Sequence, residues 1–204
     1  MMEPAASLVR EAFARREEAG RALADEADAV VRAAEDMARR FRDGGRLLVF
    51  GEGGAAPDAQ HVAIEFVHPV IVGKRALPAV SLAADPATLG AIAGTAGPQE
   101  VFAAQLRLLA SAGDIALGLS PDGRCASVLH GLRTAAALGA LTVALVGGDG
   151  GPIGAEQAVE HRLLARSGDP CTVKEVQVTT YHLLWELVQV FLERAPSPAA
   201  EGRR

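Results

Sequence analysis

Apolar residues fall into four short runs along the middle of the chain, at Arg46–Phe50, Ala79–Ala83, Ile115–Leu119 and Thr142–Val146. Between them, apolar positions recur at helical spacing over 58–68, 86–93, 99–111 and 125–138. Strands alternating with helices predict a parallel sheet covered on both faces. A weaker fifth strand is expected at Val159–Leu163, and a last helix over Thr172–Arg194, its apolar face including Val176, Tyr181, Leu184, Leu187 and Phe191. Ahead of this body, residues 5–42 are rich in Ala, Glu and Arg. Leu8, Ala12, Leu23, Val30, Ala34, Met37 and Phe41 repeat there at roughly helical intervals. Gly20 and Asp25 suggest a break into two helices, and Asp43-Gly44-Gly45 stops the second. The fold class is therefore α/β, a three-layer α/β/α sandwich with four to five strands. It divides into a helical arm (5–42), an α/β body (43–195) and a disordered tail (196–204), all in one domain. Glu3-Pro4 and the segment from Ala195 onward also read as disordered.

Composition narrows what such a domain does. Half of the 204 residues are hydrophobic, ample for one core. No apolar run reaches the roughly 18 residues of a membrane span. The N-terminal stretch is charged throughout, without a signal-peptide core. Two cysteines, Cys125 and Cys171, fit a reducing cytosol, so a cytoplasmic protein is expected. A net charge of −5 argues against a nucleic-acid partner, since Arg15-Arg16 and Arg39-Arg40 are diluted by neighbouring acids.

The chemistry concentrates after the strands, where ligands bind in open parallel sheets. The first run ends in Gly51-Glu52-Gly53-Gly54-Ala55, and a helical pattern follows at once. A glycine-rich turn feeding a helix N-terminus suits an anion, although it also serves as a simple tight turn. On that helix His61 and Glu65 stand at i, i+4 and share a face, so they could hold a metal or move a proton. Two further loops carry polar chemistry: Ser120-Pro121-Asp122-Gly123-Arg124-Cys125 and Gly147-Gly148-Asp149-Gly150-Gly151. The latter also reads as a flexible turn.

Taken in order, these segments resemble the sugar isomerase (SIS) domain, and within it the phosphoheptose isomerase branch with its related initiator-binding protein. GEGGAAPDAQHVAIEF is similar to that branch's glycine loop and His-x-x-x-Glu helix. ASAGDIALGLSPDG is similar to its strand and phosphate loop, ALVGGDGG to its fourth strand, and VKEVQVTTYHLLWELVQ to its last helix. The likeness spans about residues 5 to 195. It implies aldose–ketose exchange on a sugar phosphate such as sedoheptulose 7-phosphate, with no nucleotide cofactor. Glu65 would be the base at carbon and His182 the partner at oxygen. Gly53, Gly54, Ala55, Ser120, Asp122, Arg124 and Cys125 would line the phosphate site. Zinc would sit on the positions matching His61, Glu65, Lys174 and His182, in a homo-oligomer, expected to be a tetramer, whose N-terminal helices pack between subunits.

The chain also departs from that pattern. Pro121 lacks an N–H donor. Asp122 brings a negative charge where the family has hydroxyls, while Arg124 suits bidentate phosphate contact. Glu52 replaces an amide, Ala55 a hydroxyl residue, and Gly94-Thr95 the family's Asn-Asp. Lys174 stands for a zinc-ligating glutamine, and a protonated lysine cannot ligate, so the metal set reduces to His61, Glu65 and His182 with weakened affinity. Cys171, one turn earlier, offers a thiolate, though an ordinary semi-buried cysteine is the simpler reading. Two classes stay open: a working isomerase, favoured by the Glu65–His182 pair, and a non-catalytic phosphosugar- or partner-binding module, favoured by the rewritten loop. A nucleotide-binding Rossmann protein ranks third, because GEGGAA lacks the third-glycine spacing.

Overall fold

A computed structural model of the chain describes residues 2–194. Five parallel strands form one sheet in the order β2-β1-β3-β4-β5. They are β1 (Leu47–Phe50), β2 (Ala79–Ser81), β3 (Ile115–Ser120), β4 (Leu141–Gly147) and β5 (His161–Ala165). The three inner strands β1, β3 and β4 are buried along their whole length and apolar almost throughout, as both faces of the sheet are covered. Leu47 pairs with both Ala79 and Ile115, and Ile115 with Leu141, so β1, β2, β3 and β4 start level.

The helices are α1 (Met2–Asp25), α2 (Ala27–Arg42), α3 (Ala56–Val67), α4 (Pro86–Ala96), α5 (Ala103–Leu109), α6 (Ala126–Ala137), α7 (Gly151–Ala155) and α8 (Pro170–Arg194). One layer joins α2, α3 and α8, with Phe41 of α2 stacked on Phe66 of α3 at 5.5 Å. The other holds α5 and α6. α2 buries Val30, Ala33, Ala34, Met37, Ala38 and Phe41, so half of the expected arm belongs to the sandwich itself. α1 is different: Ala19 and Leu23 are buried, whereas Leu8 and Phe13 are 66% and 70% exposed.

Local chemistry explains several boundaries. α4 opens on Asp85, whose Oδ1 accepts from Ala87 N at 2.9 Å, with Pro86 in the first turn. The fifth strand starts at His161 rather than Val159. Glu156 Oε1 takes Ala158 N and Thr142 Oγ1 takes Glu160 N, and these bonds hold the preceding residues in a turn. Three expectations are corrected. Gly20 does not break the first helix, which continues through the buried Leu23 and stops only at Asp25. Glu3-Pro4 lie in its first turn, where proline is tolerated, and not in a disordered leader. The helix expected over 99–111 is a 3-10 turn at Pro98–Glu100 followed by the short α5. The tail expected to be disordered lies outside the described residues. Among those residues no helix is long and apolar enough to cross a membrane.

Candidate active site

The sheet order reverses between β1 and β3, the place where doubly wound sheets open a crevice at their C-terminal ends. A cavity of about 600 Å³ lies there, lined by Glu52 after β1, Pro121, Asp122, Arg124 and Cys125 after β3, Gly147 at the end of β4 and Asp149 beyond it, and Pro170 and Val173 of α8. The loops that form it interlock because glycine lets backbone approach backbone. A Cβ on Gly123, at φ +69°, would fall 1.8 Å from Gly150 O, and one on Gly147 would fall 1.9 Å from Pro121 O.

Carboxylates already occupy the donors of this cavity. Glu52 crosses to the first turn of α6, accepting from Ser127 Oγ at 2.8 Å and Cys125 Sγ at 2.7 Å. Burial, then the Glu52 contact, pushes the Cys125 thiol up, which keeps it a donor. Asp122 Oδ1 accepts from Arg124 N at 2.9 Å and Ser120 Oγ at 3.4 Å. Arg124 Nη2 reaches both Asp149 oxygens at 3.0 and 3.1 Å. The Gly151 N–H, then Arg124, hold the Asp149 carboxyl below its usual range. Gly53 and Gly54 are exposed and do not line the cavity. Ala55 is buried in the core, its N–H taken by Glu52 O, and Ser120 is likewise buried.

α8, which lines this cavity through Pro170 and Val173, also joins α3 in bringing a second group together. One ligand atom each from His61, Glu65 and His182 lie within 4.8 Å of one another. His61 Nε2 is 3.2 Å from Glu65 Oε1, and its Nδ1 is 2.8 Å from the Tyr181 hydroxyl. Burial, then the charges of Asp58 and Glu65, push that phenol up to about 12, so it stays protonated. The consistent assignment has Tyr181 donating to Nδ1 and Nε2–H donating to Glu65; the reverse tautomer would set a lone pair against the carboxylate.

Two imidazoles and a carboxylate suit zinc, and for His61 to ligate through Nε2 its proton would have to sit on Nδ1 and be donated to the Tyr181 hydroxyl, the reverse of the metal-free tautomer. Lys174 does not stand free beside them. Its Nζ pairs with Asp58 Oδ2 at 2.6 Å and Gly54 O at 3.0 Å, which offsets the repulsion expected of it. Cys171 is exposed rather than semi-buried and is not part of the cluster.

The sequence reading did not single out Tyr181, Asp58 or Ser127. Asp58 had a signal, since 58, 61 and 65 share one face of α3. Tyr181 was read only as part of an apolar face, which its ring fulfils while its hydroxyl turns to His61. The contact of Ser127 with Glu52 joins residues far apart in sequence and leaves no trace in local spacing.

Residues 14–147 match the SIS domain. The chain belongs to that family. It lies on the phosphoheptose isomerase branch. A phosphoheptose isomerase of Pelobacter propionicus is 39% identical over 156 residues, spanning 76% of this chain and 82% of the relative. One of Solidesulfovibrio magneticus is 38% identical over 190 residues, spanning 93% and 90%. Among solved structures, the phosphoheptose isomerase of Neisseria gonorrhoeae superposes with a TM-score of 0.82 at 29% identity, covering 90% of this SIS chain and 98% of its own. That of Francisella tularensis gives 0.84 at 25%, covering 91% and 98%. The SIS assignment accounts for the five-stranded parallel sheet and for the loops gathered at its C-terminal edge.

Proposed function

We propose that this SIS protein is an aldose–ketose isomerase acting on a phosphosugar of the sedoheptulose 7-phosphate type. The observation that carries the reading is the convergence of His61, Glu65 and His182 within 4.8 Å, on helices of which α8 also lines the crevice at the C-terminal ends of the strands, in a chain whose relatives are phosphoheptose isomerases. Glu65 takes the proton from the carbon next to the carbonyl and returns it to the neighbouring carbon. His182 moves the proton between the two oxygens, so hydrogen is redistributed and nothing is oxidised overall. His61, oriented by Tyr181, holds Glu65 through its Nε2–H. If bound, zinc would be held by His61, Glu65 and His182, with the His61 proton moved to Nδ1 and donated to Tyr181, and would polarise the substrate carbonyl. The phosphate end is assigned to the cavity at the start of α6, where Arg124 and Cys125 line the wall and the buried Ser127, behind Glu52, offers a further donor.

The same reading includes self-association and a cytoplasmic setting. The apolar side chains left uncovered on α1 and at Val70–Val72 support a homo-oligomer, and tetramers are the proposed form. The two free cysteines support a reducing compartment. The decisive experiment incubates purified protein, with and without zinc, with sedoheptulose 7-phosphate in deuterium oxide. Deuterium should appear at C1 or C2. No incorporation across a panel of ketose and aldose phosphates would overturn the isomerase reading and leave a binding protein.

A further inference from the structure

We propose that Glu52 is a resident competitor for the substrate's phosphate, a specificity residue that holds the phosphate donors until substrate displaces it. The inference rests on the assignment of the phosphate end to the start of α6. Glu52 belongs to the loop after β1, yet its two carboxylate oxygens end on Ser127 Oγ and Cys125 Sγ, at 2.8 and 2.7 Å. Ser127 is only 2% exposed, so its hydroxyl is committed to whatever sits in front of the helix. A carboxylate there satisfies the partial positive charge of the α6 N-terminus, as a phosphate would.

The surrounding charges make the two occupants exclusive. Asp122 holds Arg124 N, and Asp149 holds the Arg124 guanidinium and Gly151 N. Three carboxylates and one guanidinium therefore line the cavity, and only Asp149 pairs with the guanidinium. A phosphate dianion at Ser127 would stand against the Glu52 charge at contact distance, where repulsion is least screened. Binding must proceed by exchange: Glu52 releases Ser127 and Cys125, Asp149 releases Arg124, and the phosphate accepts from all three. A substrate that lacks other holds on the site gains little from that exchange, so free inorganic phosphate is excluded more strongly than a phosphosugar that also grips Glu65 and His182.

The test titrates inorganic phosphate and sedoheptulose 7-phosphate into full-length wild type, Glu52→Gln and Ser127→Ala by calorimetry, with KM measured alongside. Glutamine keeps the shape, removes the charge and adds an N–H donor. Glu52→Gln should tighten inorganic phosphate by about tenfold or more and lower KM, while Ser127→Ala weakens both. If Ser127→Ala weakens phosphate but Glu52→Gln leaves it unchanged or weaker, the seat is real and the competitor role is overturned. If neither variant responds, both the competitor and the phosphate seat are overturned, while deuterium exchange at Glu65 still decides the isomerase reading. Should Glu52→Gln fail to fold, Glu52→Asp serves instead. Its shorter carboxylate cannot span Ser127 and Cys125 together, so phosphate should again tighten, and an unchanged affinity would overturn the proposal.

Discussion

The Tyr181 hydroxyl lies 2.8 Å from His61 Nδ1, one residue before the histidine that completes the cluster. α8 thus supplies both a member of the site and the group that orients another. Tyr181→Phe keeps the buried ring and deletes only this contact. Turnover or zinc affinity should fall about 10- to 100-fold with little change in melting temperature. Kinetics and metal content measured on the same preparation check this; unchanged values for both would remove Tyr181 from the site.

Glu65→Gln should lower turnover by about 10²- to 10⁴-fold, because glutamine cannot accept a proton from carbon. His182→Ala should lower it as well. Since the two residues serve the same isomerisation step, one at carbon and one at oxygen, the double variant should lose far less than the product of the single losses. Steady-state rates for the three variants test the coupling, and simple multiplication would argue for separate roles.

Asp114 ties the start of β1 to the start of β3. It accepts from Ser111 N at 2.8 Å, Ser111 Oγ at 3.0 Å and Arg46 N at 3.0 Å. Burial alone would raise its pKa. The hydrogen bonds from Arg46 and Ser111, with the Arg46 charge, outweigh burial and hold it below the usual carboxylate value. A depressed folded-state pKa means that the stabilisation is present above the unfolded value near 4 and is lost as pH falls through the folded value. Asp114→Asn should cost about 1–3 kcal/mol at neutral pH and flatten the acid limb of the stability curve. Thermal melts from about pH 3 to 7 would show whether that limb survives the substitution.

Gly123→Ala should destabilise the protein by about 2 kcal/mol or more, from strain at φ +69° and a clash with Gly150 O. It should also weaken phosphate binding, since it pushes apart the loops that carry Arg124 and Asp149. Denaturant titration together with phosphate calorimetry reads both effects.

Leu8 and Phe13 are largely exposed on α1. Light scattering at micromolar concentration should give a multimer, and Leu8→Glu with Phe13→Glu should reduce its mass. A wild-type monomer would defeat the oligomer reading.

Much of the sheet was readable because β1, β3 and β4 are buried on both faces and leave uninterrupted apolar runs. β5 was found two residues early, as the turn held by Thr142 and Glu156 depends on contacts across the chain. Gly20 was misread because helix propensity counts a glycine against the helix, whereas the packing of Ala19 and Leu23 carries the helix past it. His61 and Glu65 were visible as a helical pair. The reach of Glu52 to Ser127 and the pairing of Lys174 with Asp58 exist only once strands and helices are assembled.

α8 begins only after the last strand is complete, yet it delivers Lys174, Tyr181 and His182 to residues more than a hundred positions upstream. During synthesis the sheet, the glycine loop and α3 can all be made before the chain holds the residues that complete the proposed site. Competence arrives in one late step, when Val176, Leu184, Trp185 and Val188 seat the final helix. A chain ending before Pro170 would keep every strand and have no Tyr181 or His182 to work with.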